Sequence, residues 1–485
     1  MWHAPSSSML RRLQRLRRIP WPEVVAGLLA PFAGMWLGQQ LTSANWTAWF
    51  TFIGVAFHVV LVLAAPLAGL LFYAITAPFA RFVHLDVDLG GGIPDLGLNR
   101  VVAGTLFVVL LAQLALRRRR WQYGSALDVT FVLFLGALLL SAANAVYGVI
   151  NAVQTTFDAY VIPFLFFFAA RHLVHNEDSL RWVIGAFLII GLYLTFLTVR
   201  EQLTGEVLFD IGYAYPMYSP HIRKVVGLLG SPTFMGMALA IIAPTSLYAL
   251  LRAHSLAARS LIALVFGAVL VGIFMTYSRA AWLGTLLALT VMGLLDRPAR
   301  RLLIPLVLIA TATAVIFWDK VITSYAVTER LMAEASVDFR ITATQIATRI
   351  IQESPLLGIG FNSFGAVAQY RWGWTPFIIP GTFAATHNTF LFVLTSAGLL
   401  GFLPYLAFCL LLAYAFWRNY RRAQAQRGPH DPGLPALGLA VYVAYLAPSL
   451  TVDMAFGFFV NTLFFIIMGA MLGAQLDLET RTAPL

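Results

Sequence analysis

Apolar segments long enough to cross a membrane recur along almost the whole chain. A helix needs about 20 mostly apolar residues to cross a hydrocarbon core roughly 30 Å thick. About fourteen such segments lie near residues 24–40, 47–64, 66–83, 99–116, 127–149, 157–170, 182–199, 231–251, 260–278, 280–296, 302–318, 388–416, 434–451 and 455–475. The sequence therefore predicts an all-α, polytopic integral membrane protein with about 12–14 transmembrane helices.

The composition excludes several classes of function. Of the 485 residues, 60% are hydrophobic and 11% are charged, which lies outside the range of soluble globular proteins. The net charge of +11 comes from short basic clusters between apolar segments, so we predict no nucleic-acid partner. Cys409 is the single cysteine, which excludes an intrachain disulfide and a thiol-based metal cluster. We expect neither a metal nor a cofactor.

The arginine clusters orient the predicted spans. Positively charged loops face the cytoplasm, and this rule places the amino terminus and most arginine clusters, including those at 11–18, 117–120, 297–301 and 418–427, on the inner side. The long run at 47–83 is divided at Pro66, because a single helix there would move the 117–120 cluster to the outer side. Six arginines remain on the outer side: Arg223, Arg279, Arg330, Arg340, Arg349 and Arg371.

Two outer intervals are too long to be simple turns. They cover residues of about 200–230 and 319–386, and long loops in compact proteins are usually functional or disordered. The second interval contains an apolar stripe at helical spacing, formed by Phe339, Ala343, Ile346 and Ile350, before Pro355 ends the pattern. We predict an amphipathic helix at the outer boundary between membrane and water.

The outer cations suggest an anion-binding site. Arg279 lies between two apolar segments with almost no loop, where a charge is costly and tends to be kept for a site. Arg223 and Lys224 precede a predicted helix start at Ser231 and Pro232, and arginines and helix amino termini both favour phosphate oxygens. Taken singly, Arg279 is equally explained as an interfacial residue that reaches lipid headgroups, and Arg223 is better explained as an ordinary interfacial cation.

His387 lies beside Asn388 at the end of the longer outer interval, directly before an apolar segment. A lone histidine in this position is usually a helix cap or an interfacial polar residue. Next to several outer arginines, a neutral imidazole would also serve as a general base beside an anionic leaving group. Four polar residues near span ends are interpreted as packing or interface groups: Asn144, Asn151, Asp158 and Asp453.

Four stretches, in this order, resemble the O-antigen ligase and O-antigen polymerase superfamily of membrane glycosyltransferases. They are "RKVVGLLGSPTFMGMALA", "TYSRAAWLG", "FRITATQIATRIIQESPLLGIGFNSFG" and "THNTFLFVLTSAGLLGFLPY". The resemblance covers residues of about 100–475. It suggests a division into N-terminal membrane segments at 1–98, a membrane core at 99–318, a large periplasmic loop at 319–386 and a C-terminal membrane core at 387–485.

The resemblance implies a reaction and a set of site residues. The donor would be a glycan linked to undecaprenyl pyrophosphate, transferred on the periplasmic side of the inner membrane without metal or cofactor. Arg223, Arg279 and Arg340 match the family's pyrophosphate-binding arginines, and His387 matches its catalytic histidine. Lys224, Asn388 and Ser278 are expected to support them. The implied mechanism is direct displacement with inversion at the anomeric carbon.

Three functions remain open at this stage. A ligase would transfer the glycan to the lipid A core, whereas an O-antigen or exopolysaccharide polymerase would transfer it to another lipid-linked repeat unit. A transporter or flippase of lipid-linked glycans is less favoured, because the predicted spans carry few charges near the membrane midplane. In every case membrane lipid surrounds the protein.

Overall fold

The computed structural model describes residues 46–82, 98–116, 126–209, 221–331, 335–374, 386–425 and 431–482. These residues form α-helices joined by turns, so the predicted all-α fold is confirmed. The helices are α1 (Trp46–Ala64), α2 (Pro66–Thr76), α3 (Leu98–Ala115), α4 (Ala126–Ser141), α5 (Val149–Thr156), α6 (Ile162–Leu173), α7 (Glu177–Thr204), α8 (Pro232–Arg252), α9 (Leu256–Met275), α10 (Arg279–Leu295), α11 (Arg297–Ile316), α12 (Trp318–Ile322), α13 (Ala335–Glu353), α14 (Phe364–Trp372), α15 (Thr389–Ala425), α16 (Gly433–Ser449) and α17 (Phe458–Thr482).

The protein crosses the membrane several times. Among the described residues, eight helical segments are long and apolar enough to span a bilayer, and five shorter apolar helices accompany them. Together they correspond to thirteen of the predicted spans. The remaining prediction, at residues 24–40, lies outside the described residues. The segment predicted at 157–170 begins earlier, because α5 continues through a π-helical turn, Phe157–Val161, into α6.

Helix α11 shows directly why this fold needs a lipid environment. Only 6% of its apolar window is buried inside the protein. Its exposed side chains include Leu308, Ile309, Val315 and Ile316, each more than 60% exposed. A soluble protein rarely exposes an apolar surface of this extent, so acyl chains must cover it.

The buried centre of the fold is formed by α8, α16 and α17. Helix α17 packs along α6, α16 packs along α10, and α8 lies between α9, α10 and α16. Small residues permit these close approaches, as is usual between membrane helices. At Gly236 in α8, an added Cβ would lie 2.6 Å from the Cβ of Ala281 in α10. The start of α8 is thereby fixed against the start of α10.

The span predicted at 388–416 is not one continuous helix. Helix α15 is interrupted at Gly398, which has φ 58° and ψ −158°. The glycine-rich segment 355–360 fills the break with backbone hydrogen bonds. Ile359 N donates to Thr395 O at 2.8 Å, and Leu399 N donates to Pro355 O at 2.8 Å. Such pairing replaces the lost helical bonds, which a membrane-embedded backbone requires.

We expect Gly398→Ala to lower the stability of the protein. A Cβ at this position would lie 2.3 Å from the Leu356 carbonyl group, and the left-handed backbone adds strain. The expected loss is about 2–3 kcal/mol, measured as a lower thermal unfolding midpoint in detergent. Gly267→Ala, in α9, is the matched control, because nothing lies within 4 Å of its Cβ position. An unchanged midpoint for Gly398→Ala would contradict the described break.

The amphipathic helix of the longer outer interval is α13, but its apolar face is covered by protein. Ala343, Ile346, Ala347 and Ile350 are buried against α14, with Trp374 and Leu391 at the edge of this small core. Protein rather than lipid therefore covers the stripe, whereas the position of the helix at the outer boundary between membrane and water stays a prediction. Leu391 belongs to α15. Its contact with this small core therefore positions α13 above the start of α15.

Candidate active site

His387 occupies a strained turn at the start of α15. In the described part of the chain, three non-glycine residues have positive φ: Tyr277, Asn362 and His387, the last at 53°. This left-handed conformation costs about 1–2 kcal/mol for an ordinary side chain, and such strain is concentrated at functional sites. Asn388, not His387, caps the helix, because its Oδ1 accepts hydrogen bonds from the N–H groups of Phe390 and Leu391.

Asp453 holds this turn in place from the loop between α16 and α17. Its carboxylate accepts hydrogen bonds from the Thr386 hydroxyl at 2.8 Å, from His387 N at 3.1 Å and from Asn388 N at 2.8 Å. Burial raises the pKa of Asp453 to about 6, although these hydrogen bonds oppose the shift. The carboxylate is therefore ionised at neutral pH, and as a pure acceptor it matches its three donors.

The His387 side chain is partly buried under the start of α13. The Phe339 ring contacts it edge to face, with ring centroids 5.3 Å apart, and Phe339 in turn packs on Trp374. Burial, together with the smaller effect of the positive charge of Arg340, lowers the pKa of His387 to about 4. The imidazole is thus neutral at pH 7, which is the form that accepts a proton.

We expect Arg340→Gln to raise the pKa of His387, because it removes a neighbouring positive charge. The pKa should stay below 6.5, since burial is the larger cause of the shift. The measurement is the pH dependence of diethyl pyrocarbonate modification at His387, followed by peptide mass spectrometry, because only the neutral ring reacts. Arg349→Gln, exposed on the same helix, is the control and should leave the midpoint unchanged. A downward shift in Arg340→Gln would contradict the assigned electrostatics.

Arg223 lies in the loop before α8 and is held near the end of α7. Glu201, only 2% exposed, accepts hydrogen bonds from Val226 N at 2.8 Å and Gly227 N at 2.9 Å. The Nε of Arg223 lies 3.5 Å from the same carboxylate, and its side chain remains 33% exposed. Lys224 follows directly and is partly exposed. This arrangement leaves the Arg223 guanidinium at the surface of the loop.

Arg279 is the first residue of α10 and is linked to the Arg223 loop. The side-chain amide of Gln202 donates to Arg223 O at 2.9 Å and to Met275 O at 3.0 Å, which connects the loop to the end of α9. Ser278 caps α10 by accepting a hydrogen bond from Ala281 N at 3.4 Å. Arg223 and Arg279 therefore both lie beside the start of α8. We refer to these two residues as the arginine pair.

The His387 turn meets the same end of α8. Gly457, four residues after Asp453, packs closely on Phe234 in the first turn of α8, because an added Cβ would lie 3.0 Å from that ring. The Asp453 loop therefore contacts both the His387 turn and the first turn of α8. The arginine pair and the His387 turn are thus each connected, through short contacts, to the region around the start of α8.

Sequence reasoning missed three residues that position the site. Asp453 was interpreted as a packing or interface group, although it fixes the His387 backbone from 66 positions away. Glu201 and Gln202, at the end of an apolar helix, were assigned no role from the sequence. Asp453 and Glu201 could have been found as acidic residues near the end of a predicted span, because a buried carboxylate there needs hydrogen-bond donors. In the described ranges, no group of three or more His, Cys, Asp or Glu side chains could hold a metal ion.

Comparison with known families supports the resemblance found in the sequence. Residues 262–406 match the family model described as O-antigen ligase. This part of the chain is similar to O-antigen ligases. The predicted resemblance to the O-antigen ligase and polymerase superfamily is confirmed over these residues. The matched domain runs from α9 into α15 and contains Arg279, Arg340 and His387, whereas Arg223 and Asp453 lie on either side of it. No curated protein matches the chain.

Proposed function

We propose that the protein transfers a glycan from undecaprenyl pyrophosphate to an acceptor hydroxyl on the periplasmic side of the inner membrane. The favoured reaction is that of an O-antigen ligase, with the lipid A core as acceptor. One observation carries the proposal: Asp453 and Phe339 fix a neutral imidazole, His387, next to the Arg340 cation at the outer end of an O-antigen ligase domain.

The chemistry requires one base and several cations. His387 takes the proton from the acceptor hydroxyl, whose oxygen forms a bond to the anomeric carbon of the donor. The bond between that carbon and the pyrophosphate oxygen breaks, and undecaprenyl pyrophosphate leaves with the electron pair. Arg223, Arg279 and Arg340 stabilise the negative charge on the leaving group. Attack opposite the leaving group inverts the anomeric carbon.

Donor binding strengthens the base. The pKa of His387 is low partly because Arg340 repels a second positive charge. A diphosphate bound beside Arg340 supplies negative charge, so it raises the pKa of His387 toward the ordinary value. A general base works best with a pKa near the operating pH. The imidazole therefore becomes an effective base only after the donor has arrived.

The surroundings of the site suit a lipid-linked donor. The arginine pair lies at the outer ends of α8 and α10, and the exposed apolar surface of α11 follows α10 directly in the chain. A polyprenyl chain can remain among the lipids while its diphosphate reaches the arginines. A fully hydrophilic donor would instead need an open aqueous path to the site, and it would not need an apolar surface beside the site.

The test uses the purified full-length protein in detergent with radiolabelled undecaprenyl pyrophosphate glycan. One reaction receives lipid A core, and a second receives no other acceptor. Labelled lipid A core supports the ligase, whereas longer glycan on the same polyprenyl carrier supports the alternative, an O-antigen or exopolysaccharide polymerase. If neither product forms and reconstituted vesicles carry the donor across the bilayer, the protein is a transporter and the proposal is wrong.

A further inference from the structure

Helix α11 is anchored to the core at its inner end. Ala299 is fully buried, and Leu302 and Leu303 are partly buried against the main core. Beyond them, every residue at 304–313 is exposed within the described part of the chain. We call residues 304–316 the outer arm. Protein therefore holds the first turns of α11, whereas lipid surrounds the outer arm.

Pro305 lies at the boundary between the anchored and the exposed part of α11. It is inside the helix, where a proline lacks the N–H that would bond to the carbonyl four residues earlier, and its ring clashes with that carbonyl. Helices kink at such positions. Because the inner end is held and the outer arm is surrounded by lipid, Pro305 is suited to act as a hinge.

The chain beyond the outer arm returns to the Arg223 loop. His221, two residues before Arg223, stacks on Tyr325 with ring centroids 4.1 Å apart and the rings nearly parallel. The Nδ1 of His221 lies 2.6 Å from Oε1 of Glu329 in the π-helical turn Ala326–Leu331. We call His221, Tyr325 and Glu329 the latch. The side chains of His221 and Glu329 are 49% and 22% exposed, and a contact between exposed groups is weak enough to open.

The latch completes a closed circuit of contacts that includes the arginine pair. From His221 the chain runs to Arg223, whose carbonyl is joined through Gln202 to Met275 at the end of α9. Arg279 follows at the start of α10, α11 packs along α10, and α12 leads from α11 to the latch. Of the two hydrogen-bonded links in this circuit, the latch is the more exposed. A lipid-linked donor carries a bulky polar headgroup, so its sideways entry from the bilayer requires the circuit to open.

We propose that the outer arm is a lateral gate for the lipid-linked donor, hinged at Pro305 and closed by the latch; this inference rests on the proposed transferase function. When the latch breaks, the outer arm swings away from α10 and the headgroup enters from the bilayer, while the polyprenyl chain stays among the acyl chains. When the latch re-forms, residues 324–331 return to the Arg223 loop. Closure of this kind retains a bound substrate and limits the access of water to the reacting bond.

The first measurement tests whether the outer arm moves, and it needs no substrate. Spin labels are attached to the full-length protein at Leu203→Cys, near the end of α7, and at Ile316→Cys, the last residue of the outer arm, since both positions are 74% exposed. Cys409 is buried, so it should not be labelled. Glu329→Ala with Tyr325→Ala, which we call the latch variant, should gain a population at longer distance. An unchanged distance distribution would overturn the gate.

The control for the distance measurement is Glu353→Ala. It removes the carboxylate of another outer ion pair, formed with Arg371 between α13 and α14. The small core between these two helices remains, so the distance distribution should stay that of wild type.

The second measurement follows the association of undecaprenyl pyrophosphate with the protein in lipid nanodiscs. The latch variant should associate about threefold or more faster, because it lacks one exposed ion pair and one ring contact. A short reducible cross-link between His221→Cys and Glu329→Cys should slow association at least about tenfold, since it removes the open state. Reduction should restore the rate. Inorganic pyrophosphate needs no lateral path and should bind to the cross-linked protein as it does to wild type.

The same cross-link between Glu353→Cys and Arg371→Cys is the matched control and should leave association unchanged. Unchanged association in the protein cross-linked at the latch would overturn the gate. Equal losses for undecaprenyl pyrophosphate and inorganic pyrophosphate would also overturn it, because they would indicate a distorted site rather than a closed path. If the latch variant shows the longer distance but no form of the protein binds either compound, the proposed function is wrong although the outer arm moves.

Discussion

Replacing His387 with asparagine should lower glycan transfer by about 10²–10⁴-fold, the usual contribution of a general base. Asparagine is the informative substitution, because it tolerates the left-handed backbone that His387 adopts. The turn and its hydrogen bonds to Asp453 should therefore remain, while the proton acceptor is lost. The initial transfer rate at saturating donor and acceptor measures the effect.

The control for this variant is His254→Asn, which changes an exposed histidine between α8 and α9. It should transfer glycan at the wild-type rate. Donor binding by His387→Asn should also stay close to that of wild type, because the arginines are untouched. A His387→Asn protein that keeps more than about a tenth of the wild-type rate would exclude His387 as the base.

Asp453→Asn should lower transfer by about 10²–10³-fold through misplacement of His387, because small errors in the position of a reacting group are costly. An asparagine side chain keeps the volume but turns an NH₂ group toward donors that need an acceptor. At least one hydrogen bond to the 386–388 turn is then lost. The left-handed conformation of His387 would relax, while the donor KM should change little.

Asp296→Asn separates this effect from a general loss of stability. Asp296 is also only 2% exposed and binds Arg252 at 2.7 Å, but it lies between α10 and α11, away from the site. Both variants should unfold at lower temperature, because each disrupts a buried hydrogen-bonded carboxylate. Only Asp453→Asn should lose transfer per folded molecule. Equal losses of transfer in the two variants would reduce Asp453 to a purely structural role.

The wild-type pH profile gives a related expectation. The pKa of Asp453 is about 6, so its carboxylate becomes protonated as the pH falls below that value. Protonation removes an acceptor from three donors and loosens the His387 turn. Measured as kcat/KM for the donor, which reports the groups of the free protein, transfer should therefore decline below about pH 6, above the pKa of about 4 that His387 has before the donor binds. In Asp453→Asn this acid limb should disappear from the residual rate.

The helices were predictable because the membrane imposes a simple rule on sequence. Runs of about 20 apolar residues can bury their backbone polar groups only as helices, so hydropathy and arginine clusters predicted the fold class. The apolar stripe of α13 was also predicted correctly, since Ala343, Ile346 and Ile350 are buried. The surface that covers this stripe was not predicted, because an amphipathic pattern has the same form whether lipid or protein covers the apolar side of the helix.

The geometry of the site was less accessible from the sequence. Arg340 and His387 were recognised as separate residues, and their proximity depends on how α13 packs above α15. Asp453 gave no periodic signal, since a single charge in a short loop looks like a solvated turn. The break at Gly398 resembles any glycine in a membrane helix until the partner segment 355–360 is seen. These features arise from contacts between distant parts of the chain.

We expect the arginine pair, Arg340 and His387 to act together on one donor molecule. The most direct measurement is an experimental structure of the protein with bound undecaprenyl pyrophosphate. We expect the diphosphate to contact Arg223 and Arg279 and to lie beside Arg340, within reach of the His387 ring. A diphosphate bound elsewhere, or an arginine pair more than about 15 Å from His387 with the diphosphate in place, would contradict the single site.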